Sequence, residues 1–333
     1  MREKIVVVRP GALGDVIATR SLLNCARAAF PDACIALAAP GERGDFLARH
    51  GLADEFFDWE SRDFSWLFTD SAENPPKRLE VFLGDATLAL AFIGRPGGDF
   101  ASLFQRRLHL LAPKATITVA EAVPPATVDC SVYAWLCRPF LTYIGKEDTA
   151  VPCRGSGRVR IDARGEPGKR YAVIHPGSGG KTKNWPVENY ARVADFLCGI
   201  KTPGENVPYF STLYVTEGEA DAGLGERLCH AVSGARLVSM PSLDDLAALL
   251  ANAAVYIGND SGVSHLAGAV ENAQGGCPDI ITIFGPSNSR IWRPPAAHVI
   301  EAGGAIDSLG PDAVFDLLSR LVAEKQMGES DVN

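Results

Sequence analysis

Residues 4–15 read Lys4-Ile5-Val6-Val7-Val8-Arg9-Pro10-Gly11-Ala12-Leu13-Gly14-Asp15, and this stretch sets the fold class. Four consecutive β-branched residues, apolar on both faces, indicate a central strand of a parallel sheet. Arg9-Pro10-Gly11 breaks the run. Past Asp15 the spacing of Ile17, Leu22, Cys25, Ala26 and Ala29 gives a helix with a small apolar face, and Pro31 stops it. A second strand is expected over 34–39. Strand, turn, helix and strand within 40 residues make a βαβ unit.

Working outward, the same rhythm resumes at Arg170. Strands are expected over 171–174, 212–215, 254–257 and 280–284. Helices are expected over 187–198, 223–233, from Ser242 as N-cap, over 264–270 and over 311–324. Between the two halves, 139–168 is rich in Gly, Pro and charge, includes Gly155-Ser156-Gly157, and is expected to hold the domain junction. Short strands are also expected within 81–93 and over 116–119. The aromatics Phe56, Phe57, Trp59, Phe64, Trp66 and Phe68 fit either a core edge or a cleft wall. The fold class is therefore α/β, with two doubly wound parallel-sheet domains. We draw domains at 1–165 and 166–310, with a last helix in 311–333.

Composition agrees. The 333 residues are 47% hydrophobic and 22% charged, which excludes a disordered or fibrous chain. Lys+Arg number 32 against 40 Asp+Glu, for a net charge of −8, and residues 169–333 carry 12 against 19. That balance argues against a chain that tracks nucleic acid. No apolar run approaches the roughly 18 residues of a membrane span, and residues 1–8 do not resemble a signal peptide. Eight cysteines without a CxxC pair, Cys153 among them, fit reduced thiols. A cytoplasmic protein is expected, as a monomer.

In doubly wound sheets ligands bind beyond the carboxyl ends of the strands. Four polar or glycine-rich loops lie there: 9–15, 175–183, 258–265 and 285–293. The first, with Arg9, Gly11 and Gly14, lacks the GxGxxG spacing of a dinucleotide fingerprint. Asp15 at its end is either a helix-capping carboxylate or a group that orients or deprotonates a hydroxyl. In the second loop, glycines and Ser178 allow a turn whose N–H groups converge on an anion, and Lys181 or Lys183 adds positive charge. Its spacing is not that of a Walker A loop. In the third, Ser261 and Gly262 open a helix suited to phosphate. Asp260 would meet sugar hydroxyls or fix the loop, and His265 is either a phosphate donor or a packed structural residue. Arg290 and Arg293, in the last loop, fit a cleft or a salt bridge equally well. Glu217 or Glu219, past the strand at 212–215, suits ribose, and Met240 fits the lining of an adenine pocket or, by default, the core. Scattered histidines without ligand spacing and no DxD motif argue against a metal site.

Taken together, these motifs resemble the bacterial ADP-heptose:lipopolysaccharide heptosyltransferases, glycosyltransferase family 9. The resemblance rests on Arg9-Pro10-Gly11-Ala12-Leu13-Gly14-Asp15, His175-Pro176-Gly177, Lys183-Asn184-Trp185-Pro186, Asn259-Asp260-Ser261-Gly262-Val263-Ser264-His265 and Phe284-Gly285-Pro286. It implies a GT-B fold of two Rossmann-like domains facing a central cleft, the last helix crossing back to the first. It further implies inverting, metal-independent transfer of heptose from ADP-heptose to a saccharide or lipid-linked saccharide hydroxyl, with no cofactor and possible contact with the inner membrane. By position, Asp15 would be the base, and Lys183 would balance the departing diphosphate. Ser178, Ser261, Gly262 and His265 would hold the donor, Asp260 its sugar, Glu219 the ribose and Met240 the base. The sequence departs from the family at Arg20-Ser21-Leu22 and through 70–110. For a phosphorylated acceptor the candidate cations are Arg43, Arg49, Arg62, Lys77, Arg78, Arg95, Arg106 and Arg107. Two rival readings are a nucleotide-sugar-binding protein with a degenerate acceptor site and an NAD-dependent oxidoreductase.

Overall fold

A computed structural model describes residues 3–70, 74–94, 98–147, 158–162, 169–202 and 205–330, with side chains through 327. The chain divides into two compact units at Gly157/Arg158. That point lies inside the expected junction, ahead of the boundary drawn at 165; that boundary, Gly155-Ser156-Gly157, Cys153 and Arg95 lie outside the described residues. Pro139, at the start of the expected junction, sits inside the helix Val132–Tyr143.

The first unit carries β1 (Lys4–Val8), β2 (Cys34–Ala39), β3 (Glu55–Asp58), β4 (Leu88–Phe92) and β5 (Thr116–Ala120). They form one sheet in the order β3-β2-β1-β4-β5, parallel throughout. β1 and β4 are buried along their whole length, as a parallel sheet covered on both faces requires. Val6, Val8, Ala36 and Ala89 pack on one face with Phe57, Phe64, Trp66, Phe82 and Phe104. The aromatic run therefore builds core. The strand expected within 81–93 is corrected at its start: Lys77–Leu83 is helical, Gly84 ends it, and only Leu88–Phe92 is strand. The apolar spacing of Leu79, Phe82 and Leu83, all buried, is the helical period that decides it.

The second unit holds β6 (Val159–Ile161), β7 (Tyr171–His175), β8 (Thr212–Glu217), β9 (Ala235–Ser239), β10 (Val255–Asn259), β11 (Val270–Asn272), β12 (Asp279–Phe284) and β13 (His298–Glu301). Six of them form a second sheet, β13-β12-β10-β7-β8-β9, again parallel. β6 and β11 pair separately. The final helix, Asp312–Ser330, buries Val314, Leu317, Leu318, Leu321 and Val322 in this unit's core. Phe315 stacks on Phe196 with centroids 4.7 Å apart, and Lys325 Nζ reaches Asp279 at 2.7 Å; the helix is thus seated on the second unit.

In each sheet the order reverses beside its first long strand, between β1 and β4 in one and between β7 and β10 in the other. Such switch points open a crevice at the carboxyl ends. The candidate loops begin there.

Candidate functional site

In the first unit the Arg9 side chain enters the switch point and is 1% exposed. Its guanidinium lies over the Phe92 ring, 5.9 Å from the centroid, and donates to the Ala122 carbonyl and, at 2.8 Å, to Asp15 Oδ1. Burial lowers the Arg9 pKa and the Asp15 charge opposes the shift; a guanidinium stays charged all the same. Asp15 is not the N-cap. It is the third residue of the helix Leu13–Ala18, and Oδ2 reaches back to accept the Ala12 N–H at 3.0 Å. Gly11, at φ +130°, makes this possible, since a Cβ there would fall 2.7 Å from that same Oδ2. Gly14 is the helix's second residue and is half-buried. Both carboxylate oxygens are thus aimed by donors, while the side chain keeps 26% exposure. The helix stops at Ala18 instead of running on to Ala29; a second helix spans Arg20–Ala29.

Among the expected cations, Arg43 stands at this loop and donates to the Gly11 carbonyl at 3.0 Å. Arg49 pairs with Asp45 and Lys77 with Glu80. Arg78 lies over Phe57, and Arg107 lies over Trp66 and donates to the Thr69 carbonyl.

In the second unit the loops after β7 and β10 meet. Lys183 ends a short 3-10 turn, Lys181–Lys183, and its Nζ sits 2.7 Å from Asp260 Oδ2. The Asp260 side chain is 6% exposed and that of Lys183 37%, so a buried carboxylate anchors a partly exposed lysine. Ser261, the next residue, N-caps the helix Gly262–Ala267 and accepts from Ser264 N. Lysine turn and helix start therefore share one end of one sheet.

What binds the two loops is Asn259, fully buried at the end of β10. Its Oδ1 accepts the Trp185 N–H at 3.1 Å and the Tyr190 hydroxyl at 2.9 Å. Its Nδ2 donates to the carbonyls of Pro176 (2.8 Å) and Gly177 (3.4 Å). A side-chain amide holds two donors and two acceptor sites, and here one residue spends them across the loop. Sequence reading quoted Asn259 without giving it work; a polar residue closing a buried strand was the signal.

The remaining expected residues separate. The Ser178 hydroxyl is 2.8 Å from both the Gly180 carbonyl and Asn184 Oδ1, so it shapes the turn from inside. His265, the fourth residue of the helix Gly262–Ala267, is 4% exposed. Glu217 is structural: Oε2 accepts from the N–H groups of Gly223 (2.9 Å) and Gly225 (3.0 Å), and Oε1 from Ser239 Oγ (2.9 Å). Glu219, two residues on, is exposed. Met240 is not core: it is 59% exposed, with φ +47°, a left-handed backbone uncommon for a side-chain-bearing residue. Arg290 and Arg293 are exposed.

Asp221 was missed altogether. It follows Glu219 in a 3-10 turn, accepts from Gly218 N at 3.1 Å, and faces His175 Nε2 at 3.7 Å. Among the described residues no group of three or more His, Cys, Asp or Glu could hold a metal ion, and no helix is long and apolar enough to cross a membrane.

Against this geometry, residues 146–309 match the sequence model of glycosyltransferase family 9 (heptosyltransferase). No curated protein matches the sequence. Among solved structures, the chain is similar to a glycosyl transferase family 9 protein from Veillonella parvula (19% identity, 97% of each chain covered, TM-score 0.72). It is also similar to E. coli ADP-heptose lps heptosyltransferase II (18% identity, 97% of this chain and 99% of that one, TM-score 0.70). A third is E. coli heptosyltransferase WaaC with ADP (16% identity, 96% and 99%, TM-score 0.67). At these identities the structural likeness carries the fold, which is GT-B, and the matched domain carries the enzyme class.

Proposed function

We propose that this chain, whose residues 146–309 match the model of glycosyltransferase family 9 (heptosyltransferase), transfers heptose from ADP-heptose to a hydroxyl of a lipopolysaccharide-core-like saccharide, with inversion and without a metal ion. The observation that carries the donor half is the 2.7 Å contact between Lys183 and Asp260. It draws a mobile positive charge to the start of the Ser261–Gly262 helix, where free N–H groups favour an anion. A diphosphate bound there would take the ammonium and the helix start together, and both would strengthen as negative charge builds on the leaving group. Glu217 is spent within the fold, which leaves Glu219 for the ribose hydroxyls. Met240, exposed beside β9, would border the base.

The acceptor half rests on Asp15. Its oxygens are oriented by Arg9 and by the Ala12 N–H, and a lone pair on the exposed side is free to accept the proton of an attacking hydroxyl. Arg43, held at the Gly11 carbonyl, would favour an acceptor carrying phosphate or carboxylate. We place the enzyme in the cytoplasm, where nucleotide sugars are found, with the inner membrane as the source of a lipid-linked acceptor.

The test is calorimetric titration with ADP, UDP, GDP and NADH, followed by transfer assays from the matching nucleotide sugars. ADP preferred by at least about tenfold, or 1.4 kcal/mol, is the expected result. A uridine preference would reassign the donor. Tight ADP binding with no transfer to any saccharide would leave a binding protein.

A further inference from the structure

His175 and Asp221 take no part in the transfer just described, yet both side chains are 5% exposed and they face each other beneath two donor loops. His175 ends β7, directly before the Pro176–Lys183 turn. Asp221 ends the turn that carries Glu219. Two ionisable groups buried this deeply carry a desolvation penalty that ordinary packing would avoid.

The surroundings of each ring nitrogen bear on where the proton sits. Nδ1 of His175 lies 3.1 Å from both the Thr216 carbonyl and the Thr216 hydroxyl. Nε2 faces Asp221 Oδ2 at 3.7 Å. A neutral ring has one proton. Placed on Nδ1, it would turn the Nε2 lone pair toward a carboxylate. Placed on Nε2, it points at Asp221, and Nδ1 accepts from the Thr216 hydroxyl. The second arrangement pairs Nδ1 with the Thr216 hydroxyl but leaves the Thr216 carbonyl 3.1 Å from a ring lone pair; the charge of Asp221 is what favours it. It also gives Oδ2 a proton to face, and that oxygen is buried with no hydrogen-bond partner of its own. The same Oδ2 presses on Gly177, where an added Cβ would fall only 1.9 Å away. The other carboxylate oxygen holds Gly218 N. Asp221 therefore touches both turns at once. Tyr256 on β10 is the other titratable group that senses its charge.

We propose that His175 and Asp221 form a buried positioning pair that locks the Gly177–Lys183 turn to the Gly218–Asp221 turn, and so sets the spacing between the groups that take the diphosphate and the ribose of the donor. This rests on the donor reading above. The pair touches no reacting atom; it acts through Gly177 and Gly218.

Two measurements decide it. The first is ¹⁵N NMR of the imidazole in the unliganded protein. Wild type should carry its proton on Nε2 at neutral pH, and Asp221→Asn should move it to Nδ1; an Nδ1 proton in wild type overturns the pairing. The second is ADP titration of variants whose unliganded melting temperature is also recorded. His175→Asn reaches only the Nδ1 position and His175→Gln reaches toward the Nε2 position. His175→Asn and Asp221→Asn should each weaken ADP about tenfold, the two together no more than either alone, and His175→Gln should stay within about threefold of wild type. Transfer assays should place the loss in KM for the donor, with kcat little changed. Equal losses for Asn and Gln at His175, or wild-type ADP affinity in His175→Asn, contradict the proposal. Wild type that binds no nucleoside diphosphate overturns the donor reading itself, and with it any positioning role for a pair whose NMR signature could still be intact.

Discussion

The two switch-point loops solve the same problem differently. In the first unit a single buried cation, Arg9, ties the loop down by gripping the carboxylate we propose as the base. In the second, the groups offered to the ligand are separate from those that hold the loop. Asn259 and Ser178 hold it from inside with neutral hydrogen bonds, while Lys183 leans on Asp260 and keeps its outer face free. A carboxylate that works as a base needs one fixed direction, which an arginine fork supplies. A site that receives a diphosphate needs several backbone groups held in register, which one multiply bonded amide supplies.

The contrast predicts that damage to the first loop costs chemistry and damage to the second costs binding and stability. The largest effect is expected for Asp15→Asn. Turnover should fall by about a hundredfold to ten-thousandfold, the range of a general base, while ADP affinity by calorimetry stays within about twofold. Unchanged turnover would reduce Asp15 to the ion pair with Arg9. Next comes Asn259→Ala. It strands the Trp185 N–H, the Tyr190 hydroxyl and two carbonyls in a buried site, at about 3 kcal/mol in total. In a unit of this size the melting temperature should drop by about 6–12 °C. A drop no larger than that of an exposed substitution would remove Asn259 as the clamp. The smallest effect is on pH dependence. Burial holds the His175 pKa below its ordinary value, so below about pH 6.5 the unfolded chain takes up a proton that the folded chain declines. Stability should therefore fall as pH drops below that point, by at most about 1.4 kcal/mol per pH unit, and His175→Gln should flatten the slope in acid melts.

How much of this could be read from the sequence follows the same division. β1, β7, β10 and β12 stood out because strands buried on both faces are written as unbroken apolar runs. The lysine turn and the Ser261–Gly262 helix start were legible because glycine, lysine and serine have local meanings at the end of a strand. What stayed hidden depends on contacts distant in sequence. Nothing local distinguishes Glu217, which the N–H groups of Gly223 and Gly225 occupy, from Glu219, which is open. Nothing near Met240 announces that its backbone turns left-handed and its side chain out. Asp221 gains its meaning only once β7 and β8 lie side by side. The Lys77–Leu83 helix was misread in part because short apolar runs fit either period.

The central claim is that the lysine turn and the Ser261–Gly262 helix start grip one diphosphate. The most direct test is titration of wild type and Lys183→Gln with ADP and with adenosine; glutamine keeps a donor for Asp260 and removes the charge. ADP should weaken by about 10- to 100-fold, as loss of a charged hydrogen bond implies, with adenosine within about twofold. Equal ADP affinity in the two proteins would contradict the account.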